Sequence, residues 1–387
     1  MARRSPAAYR IAAGVVLAAG AVAIAGALAA GAFSVFVARK VVIPSKRRVE
    51  DIEILGVTGG TITLSSTLDT LLPGTYSLWF ARGSGHAKIG DILSSTPNSV
   101  TRTLIAVDFG DLEASERGYL AGWVYLGPKE LPAPYSDVLI DAPVGACPAW
   151  LIPATEETGR WLIGVHGRGV RRQECLRAVD VARRCGYTSL LVSYRNDGDA
   201  PASEDGRYAL GDTEWLDVDA AISYALDNGA TEVVLMGWSM GGATVLQAAT
   251  RSTNRPVIRG LILESPVIDW VTTLDFQADL MRIPRPVGLV AKQLISQTWS
   301  GRLTGQTEPI ELSRLDFVTR ASELAVPILL LHSADDGFVP VAASRELAAA
   351  RPDIVTYDEF TVARHTKLWN YDAERWNNDI GSWLSRL

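Results

Sequence analysis

GWSMGG, residues 237–242, lies between the apolar run TEVVLM and the run ATVLQAAT, which has the composition of a helix. A strand pattern therefore gives way to a helix pattern at one serine flanked by glycines. Ser239 has two interpretations at this point: it caps the helix, or a sharp turn holds it as a nucleophile. Gly237 and Gly241 favour the sharp turn, because small residues let the chain double back.

Strand and helix patterns alternate along the second half of the chain. The helical patterns include RRQECLRAVDVARRC, taken as one helix, a helix with Asp212 as its candidate N-cap, and VAASRELAAA. This alternation predicts an α/β fold with a doubly wound, mostly parallel sheet over residues 134–387. The interval of about 60 residues between Ser265 and Pro327 exceeds an ordinary connection, so we expect a small helical cap within 266–326. The strand candidates, each a short apolar run, are residues 161–166, 188–194, 232–237, 260–265, 327–333 and 354–360.

Two segments of different character precede this α/β region. Short alternating runs broken by glycine and proline predict an antiparallel, β-rich domain over residues 41–133. Residues 11–38 contain no charged side chain, and a membrane-spanning helix needs about 20 apolar residues. Because the apolar region of a cleaved signal peptide is only about 7–15 residues long, we predict a retained N-terminal transmembrane helix within residues 1–40.

The side of the membrane that carries the folded domains stays open. Arg3, Arg4 and Arg10 precede the apolar span, and five basic residues follow it between positions 39 and 48. Basic residues favour the cytoplasmic side, so the two clusters oppose each other. The sequence predicts a single-pass protein of the cell membrane, with the lipid bilayer as its partner through residues 11–38.

Composition argues against nucleic-acid binding and against a metal site. The net charge is −6 and the folded region has no block of like charges, so we expect no nucleic-acid partner. The three cysteines and four scattered histidines do not have the spacing of a zinc site, and we predict neither a metal nor a cofactor. His86 has no partner motif and is expected on the surface or in a turn. The oligomeric state is not indicated.

Ser239 needs a base to act as a nucleophile, because a hydroxyl is weakly nucleophilic at neutral pH. In strand–turn–helix proteins of this kind, the chain order is serine, acid, histidine. His332 and His365 are the histidines that follow Ser239. His365 comes directly after the last predicted strand and is the candidate base. His332 lies within a strand and is expected to make a structural hydrogen bond.

The acid must precede His365 on a loop that follows a strand. The run HSADDGFVP offers Asp335 and Asp336, and spacing alone does not choose between them. Glu264 and Asp269, which come after an earlier strand, are reserve candidates.

Stabilisation of an oxyanion needs two backbone N–H donors. Met240, the residue after Ser239, supplies one of them in this architecture. HGRG, residues 166–169, follows the first strand of the predicted parallel sheet, and we expect the Arg168 N–H to be the second donor. Gly167 and Gly169 would let this loop approach closely.

HGRG, GWSMGG, LLLHSADDGFVP and ARHTKLWN together resemble the α/β-hydrolase superfamily over residues 134–387. The resemblance implies a sheet of that type, with Ser239, Asp336 and His365 as a catalytic triad. Asp336 is preferred to Asp335 because many members carry the acid four residues after the histidine of an H-G-x-x-D-x-x-V-P pattern.

Within the superfamily, the chain resembles serine esterases and the prolyl-oligopeptidase-like or acylaminoacyl-peptidase-like hydrolases. The resemblance implies a serine hydrolase that cleaves carboxylic esters through an acyl-enzyme, with a small-molecule ester as substrate, and the apolar span predicts that this hydrolase is anchored in the membrane. A serine peptidase or amidase acting on a peptide-like substrate is the alternative, although the β-rich segment is too short for the propeller of the prolyl oligopeptidases. A non-catalytic, membrane-tethered binding protein of the same fold would lack a triad member, and none is missing.

Overall fold

The computed structural model describes residues 26–45 and 48–387. The described chain begins with helix α1, residues 26–42, and continues through a β-barrel into an α/β domain. Residues 1–25, which hold the first part of the predicted span 11–38, lie outside the described residues. Within residues 26–45 and 48–387, no helix combines the length and the apolar character that a membrane crossing requires.

Six antiparallel strands form the barrel. They are β1 (Ile52–Thr58), β2 (Thr61–Ser65), β3 (Tyr76–Phe80), β4 (Gly85–Ser95), β5 (Ser99–Phe109) and β6 (Arg117–Ala121). They pair in the order β1-β2-β5-β4-β3-β6, and β6 pairs again with β1 to close the barrel. Closure leaves no unpaired strand edge. The predicted antiparallel, β-rich segment thus corresponds to a closed unit with its own apolar core.

A buried arginine fixes one loop of the barrel. The guanidinium of Arg102 is fully buried and donates to the backbone carbonyls of Thr70, Leu72 and Gly74. A buried charge is costly unless its hydrogen bonds are made, and here carbonyl oxygens satisfy it. The loop that follows Asp69 is therefore held in one position.

Eight strands form the sheet of the α/β domain. They are β7 (Ser136–Ala142), β8 (Gly145–Ile152), β9 (Arg160–Val165), β10 (Thr188–Val192), β11 (Glu232–Trp238), β12 (Ile258–Glu264), β13 (Ile328–Ser333) and β14 (Val355–Phe360). Their order is β14-β13-β12-β11-β9-β10-β8-β7. The six strands from β9 to β14 run parallel, whereas β7 and β8 are antiparallel additions at one edge. The predicted mostly parallel sheet is confirmed.

Helices cover both faces of this sheet, as a doubly wound fold requires. They are α2 (Val179–Arg184), α3 (Trp215–Asp227), α4 (Met240–Arg251), α5 (Trp270–Leu280), α6 (Arg285–Ile295), α7 (Gly301–Thr304), α8 (Ala342–Ala350), α9 (Leu368–Tyr371) and α10 (Ala373–Leu384). One apolar core contains residues of α3, α4 and α8, and a second, on the other face, contains residues of α2 and α10. Helices α5, α6 and α7 lie between β12 and β13, inside the interval 266–326 where a helical cap was expected.

Three local expectations are wrong. The run RRQECLRAVDVARRC does not form one helix, because Arg172–Ala178 is a 3₁₀ segment that precedes α2. Asp212 does not cap α3; its carboxylate pairs with Arg251 and Arg314 at 2.7 and 2.8 Å. His86 is not in a turn or on the surface but is fully buried in β4.

Candidate active site

Ser239 lies on a strained turn between β11 and α4. Its backbone has φ 52° and ψ −116°, a conformation that costs an L-residue about 1–3 kcal/mol. Neighbouring glycines make the turn sterically feasible: a Cβ added to Gly237 would lie 2.4 Å from the Gly241 carbonyl oxygen. A Cβ on Gly241 would lie 2.2 Å from the Val165 carbonyl oxygen. The sequence can therefore double back here only with glycine at these positions.

A continuous hydrogen-bond chain joins Ser239, His365 and Asp336. The Ser239 Oγ lies 3.0 Å from His365 Nε2, and His365 Nδ1 lies 2.7 Å from Asp336 Oδ2. In the neutral imidazole, Nδ1–H donates to the carboxylate and Nε2 accepts from the hydroxyl. The structure thus brings together the three residues proposed as nucleophile, base and acid.

Asp336 is held rigidly as a charged acceptor. Its Oδ1 accepts the backbone N–H groups of Phe338 at 2.8 Å and Val339 at 2.9 Å. His332 Nε2 lies 3.2 Å from Oδ2, the oxygen that also meets His365. Burial alone would raise the pKa of this carboxyl, but the attraction of His365 and the hydrogen bonds from both histidines hold its pKa below the ordinary value. The carboxylate therefore stays ionised, as an orienting partner for an imidazole must.

The other acid candidates have separate structural roles. Asp335 Oδ1 accepts the backbone N–H groups of Ala363 and Arg364, so it fixes the loop that carries His365. Glu264 accepts from two buried indole N–H groups, and Asp269 accepts from the first turn of α5 as its N-cap. Beside Asp336, His332 is also bonded through Nδ1 to the Ser344 hydroxyl at 2.8 Å.

The loop after β9 supplies the second part of the predicted oxyanion site. A Cβ added to Gly167 would lie 3.3 Å from the Ser239 Cβ, so this loop packs directly against the nucleophile. The Gly167 N–H donates to Glu174 at 2.7 Å and the Gly169 N–H to Asp197 at 3.0 Å. These two bonds hold the loop on either side of Arg168.

The two predicted donors themselves are free. Among the residues that the structure describes, no acceptor meets the backbone N–H of Arg168 or that of Met240. Met240 is the first residue of α4, where an unpaired N–H and the helix dipole both favour negative charge. One uncommitted N–H in the residue after Ser239, and another in the loop that packs against Ser239, have the chemistry that an oxyanion requires.

The barrel contributes a residue that sequence reasoning missed. Asp69 lies beside the His365 loop, where Lys367 Nζ is 2.8 Å and Arg364 Nε is 3.4 Å from its carboxylate oxygens. Arg364 and Thr366, on either side of His365, have φ values of 59° and 50°. No local pattern could have linked Asp69 to a loop almost 300 positions later in the chain.

Helix α1 also approaches the site. Its Lys40 carbonyl accepts from the Arg168 guanidinium at 3.0 Å, and its Val42 carbonyl accepts the Tyr208 N–H at 2.8 Å. A cavity of about 1030 Å³ opens over the site, and Ser239 and His365 line it together with residues of α1, the barrel and the cap helices.

The strained serine turn on a doubly wound sheet, followed by an acid and a histidine on later strand ends, is the architecture of the α/β hydrolases. Residues 162–378, more than half of the chain, match the family described as the alpha/beta hydrolase family. The chain belongs to this family. Residues 53–121, which include most of the barrel, match a domain of unknown function, DUF8805.

Solved structures of esterases are similar to this chain at low sequence identity. An esterase from Pyrococcus furiosus is 19% identical, with a TM-score of 0.53, over 68% of this chain and 94% of that protein. A second crystal form of that esterase gives a TM-score of 0.52 at 19% identity, over 68% and 96%. An esterase from Rhodococcus sp. is 19% identical over 65% of this chain and 98% of that protein, with a TM-score of 0.45. No curated protein sequence matches the chain.

Proposed function

We propose that the protein is a serine hydrolase that cleaves carboxylic esters through an acyl-enzyme. The observation that carries the proposal is the hydrogen-bond chain from Ser239 Oγ through His365 to Asp336. Ser239 and His365 line a cavity that is large enough for a substrate. Membership of the alpha/beta hydrolase family and the esterase folds it resembles support the same chemistry.

Acylation begins when Ser239 Oγ attacks the ester carbonyl carbon and its proton passes to His365 Nε2. The carbonyl oxygen becomes an oxyanion, for which the N–H groups of Met240 and Arg168 are the proposed donors. Asp336 holds the imidazole in the tautomer that can accept the proton and stabilises the imidazolium that forms. The ester C–O bond then breaks, and His365 returns the proton to the leaving alcohol.

Deacylation repeats the same steps with water. His365 accepts a proton from a water molecule, whose oxygen attacks the acyl carbon and displaces Ser239 Oγ. The proton then passes from His365 to Ser239, which restores the hydroxyl and releases a carboxylic acid. One ester and one water thus give one alcohol and one acid.

Paired substrates test the reaction and the bond it cleaves. We expect p-nitrophenyl butanoate to be hydrolysed by the wild-type protein and the matched butanoyl p-nitroanilide much more slowly. The Ser239→Ala variant is the control for background hydrolysis. Equal ester hydrolysis by wild type and Ser239→Ala would refute the proposal, and faster cleavage of the anilide would favour the amidase alternative.

We also propose that residues 11–38 anchor the protein in the cell membrane as a single pass. The support is the absence of charge over these residues, since a helix that spans a bilayer needs about 20 apolar residues. The full chain should stay in the membrane fraction after alkaline carbonate extraction, and a chain that begins at Arg48 should not. Release of the full chain by carbonate would refute the anchor.

A further inference from the structure

Helix α1 divides into a docked part and a projecting part. In its docked part, one face of the helix packs on the α/β domain. The buried positions of this face recur every four residues, as positions on one side of a helix do. The buried residues of that face are Ser34, Ala38 and Val42. The carbonyls of Lys40 and Val42 are bound by Arg168 and by the Tyr208 N–H. The C-terminal half of α1 is therefore fixed against the loop of the oxyanion site.

The projecting part is apolar and exposed. Residues 26–33, GALAAGAF, are all exposed, and Leu28 keeps 70% of its accessible surface. The sequence before them, back to Ile11, has no charged residue. Exposed, contiguous apolar surface of this kind marks a contact with a membrane or a partner. The exposed apolar residues 26–33 therefore lie beside the active site, where Phe33 lines the cavity.

Exposed apolar side chains line part of the active-site cavity. Phe33 and Phe36 of α1, Met281 at the end of α5 and Phe338 after β13 all line it, yet each keeps 41–67% of its surface exposed. Exposure together with a place in the cavity wall puts these side chains where the cavity meets solvent. One part of the opening of the cavity that contains Ser239 is thus apolar and lies next to the projecting part of α1, while the exposed Lys40, Arg48 and Asp51 line another part.

The cap side of the cavity is suited to an apolar chain. Gly288 of α6 and Ala278 of α5 line it as small residues, and a Cβ added to Gly288 would have only the Ala278 Cβ, 3.9 Å away, near it. Lys292 is paired with Asp275 at 2.6 Å, so the charges on this wall neutralise each other. An entering hydrocarbon would displace water from this wall without separating an ion pair.

We propose that the substrate is a long-chain acyl ester taken from the bilayer, whose acyl chain lies between α1 and the cap helices α5 and α6. The inference rests on the proposed function, because it assigns a substrate class to the same serine. Entry from the bilayer follows from the position of the opening beside the apolar segment that ends at Ala38. An acyl chain that comes from the bilayer passes from one apolar environment to another, so its fit between α1 and the cap helices, and not its removal from water, would set the preference.

The test uses the full chain in phosphatidylcholine vesicles, with 4-methylumbelliferyl butanoate and palmitate as probes. The Gly288→Phe variant fills the space opposite α1, and Ala278→Phe fills it from α5. Gly288→Ala adds a single methyl group to the same position. Gly56→Phe is the matched control, because it makes the same exchange at an open, exposed glycine of β1, outside the cavity.

The expected result is a change in chain-length preference. Wild type, Gly288→Ala and Gly56→Phe should prefer palmitate, whereas Gly288→Phe and Ala278→Phe should lose about tenfold or more in kcat/KM on palmitate. Their loss in kcat/KM on butanoate should be much smaller than their loss on palmitate, so the palmitate-to-butanoate ratio should fall, and urea unfolding midpoints close to that of wild type show that the variants are folded. Palmitate in the vesicles that hold the enzyme should be cleaved faster than palmitate supplied in separate, enzyme-free vesicles.

Three outcomes would overturn the inference. Wild type that cleaves butanoate but does not prefer palmitate would refute the long-chain substrate and leave the proposed function standing. Phenylalanine variants that lose both activities equally, or lose neither, would refute the proposed position of the acyl chain between α1 and the cap helices. Equal palmitate rates from the same and from separate vesicles would refute entry from the bilayer. A protein that cleaves neither ester would instead refute the proposed function itself.

Discussion

A hydrogen-bonded set of serine, histidine and aspartate in the barrel, centred on His86, can be compared with the set centred on His365 in the α/β domain. In the barrel, His86 Nδ1 lies 2.7 Å from Asp108 Oδ2 and His86 Nε2 lies 2.7 Å from Ser77 Oγ. The corresponding distances around His365 are 2.7 and 3.0 Å. By residue type and separation the two sets are nearly equivalent.

The two sets differ in burial, in backbone conformation and in access to a cavity. Ser77 lies within strand β3, is fully buried, and its Oγ is also 2.9 Å from the Trp123 carbonyl. His86 is enclosed by aromatic rings, with the Trp79 ring centroid at 4.5 Å. Ser239, by contrast, lies on a strained turn at a helix N-terminus and lines a cavity. A hydrogen-bonded triad therefore indicates an active site only together with access and free oxyanion donors.

The largest effect should separate the two serines. Ser239→Ala is expected to lower kcat for p-nitrophenyl butanoate by about 10⁴-fold or more, because it removes the nucleophile. Ser77→Ala should leave kcat within about twofold and instead destabilise the barrel by about 1–3 kcal/mol, since it leaves buried partners unsatisfied. Steady-state kinetics and urea unfolding measure the two effects, and a large loss of kcat in Ser77→Ala would break the comparison.

The two aspartates should differ in the same way. Asp336→Asn is expected to lower kcat by roughly 10³–10⁴-fold, because an amide cannot stabilise the imidazolium and favours the wrong tautomer. Asp108→Asn, the matched change in the barrel, should leave kcat nearly unchanged. Kinetics at saturating ester for both variants provide the check, and similar losses in the two would contradict the assignment.

A smaller effect on kcat is expected from a barrel residue, Asp69, that contacts the His365 loop. Asp69→Asn weakens the ion pairs to Lys367 and Arg364 that flank His365. We expect a loss of about tenfold in kcat with little change in KM, because misplacement of the base affects the chemical step and not ester binding. Asp111→Asn, at an exposed barrel carboxylate that bonds only within its own turn, is the control. A rise in KM alone would show that Asp69 contributes to ester binding instead.

The smallest expected effect is a dependence of the free energy of unfolding on pH. Burial lowers the pKa of His86 below its usual value, and its contact with Asp108 offsets this only in part. The unfolded chain then binds a proton that the folded barrel does not, so the free energy of unfolding should decrease as the pH falls below about 6.5. His86→Gln should reduce this slope in urea unfolding between pH 7.5 and 5. An unchanged slope would show that other groups cause it.

Sequence patterns pointed to the members of the candidate active site but not to those of the barrel set. The positions of Ser239 and His365 follow from local patterns, a strand–turn–helix junction and a histidine after the last strand. The choice of Asp336 needed the family resemblance, because Asp335 is adjacent to it. Each of these patterns spans only a few neighbouring residues, so it can be recognised in a single sequence.

The barrel set was missed because its signals depend on distant contacts. The expectation that His86 lies on the surface or in a turn fails, because the neighbouring Gly85 is required by packing: a Cβ there would lie 2.0 Å from the Phe80 ring. The closure of β6 on β1 and the contact of Asp69 with the His365 loop join residues far apart in the chain. Alternation of apolar residues indicates a strand, but it does not indicate which strands meet.

The most direct test of the central claim is the site of covalent labelling. The folded, full-length protein is treated with a fluorophosphonate probe, digested, and mapped by mass spectrometry, with Ser239→Ala and Ser77→Ala treated in parallel. One adduct per chain on Ser239, retained in Ser77→Ala and absent in Ser239→Ala, is the predicted result. An adduct on Ser77, or no adduct on the folded wild-type protein, would contradict the account.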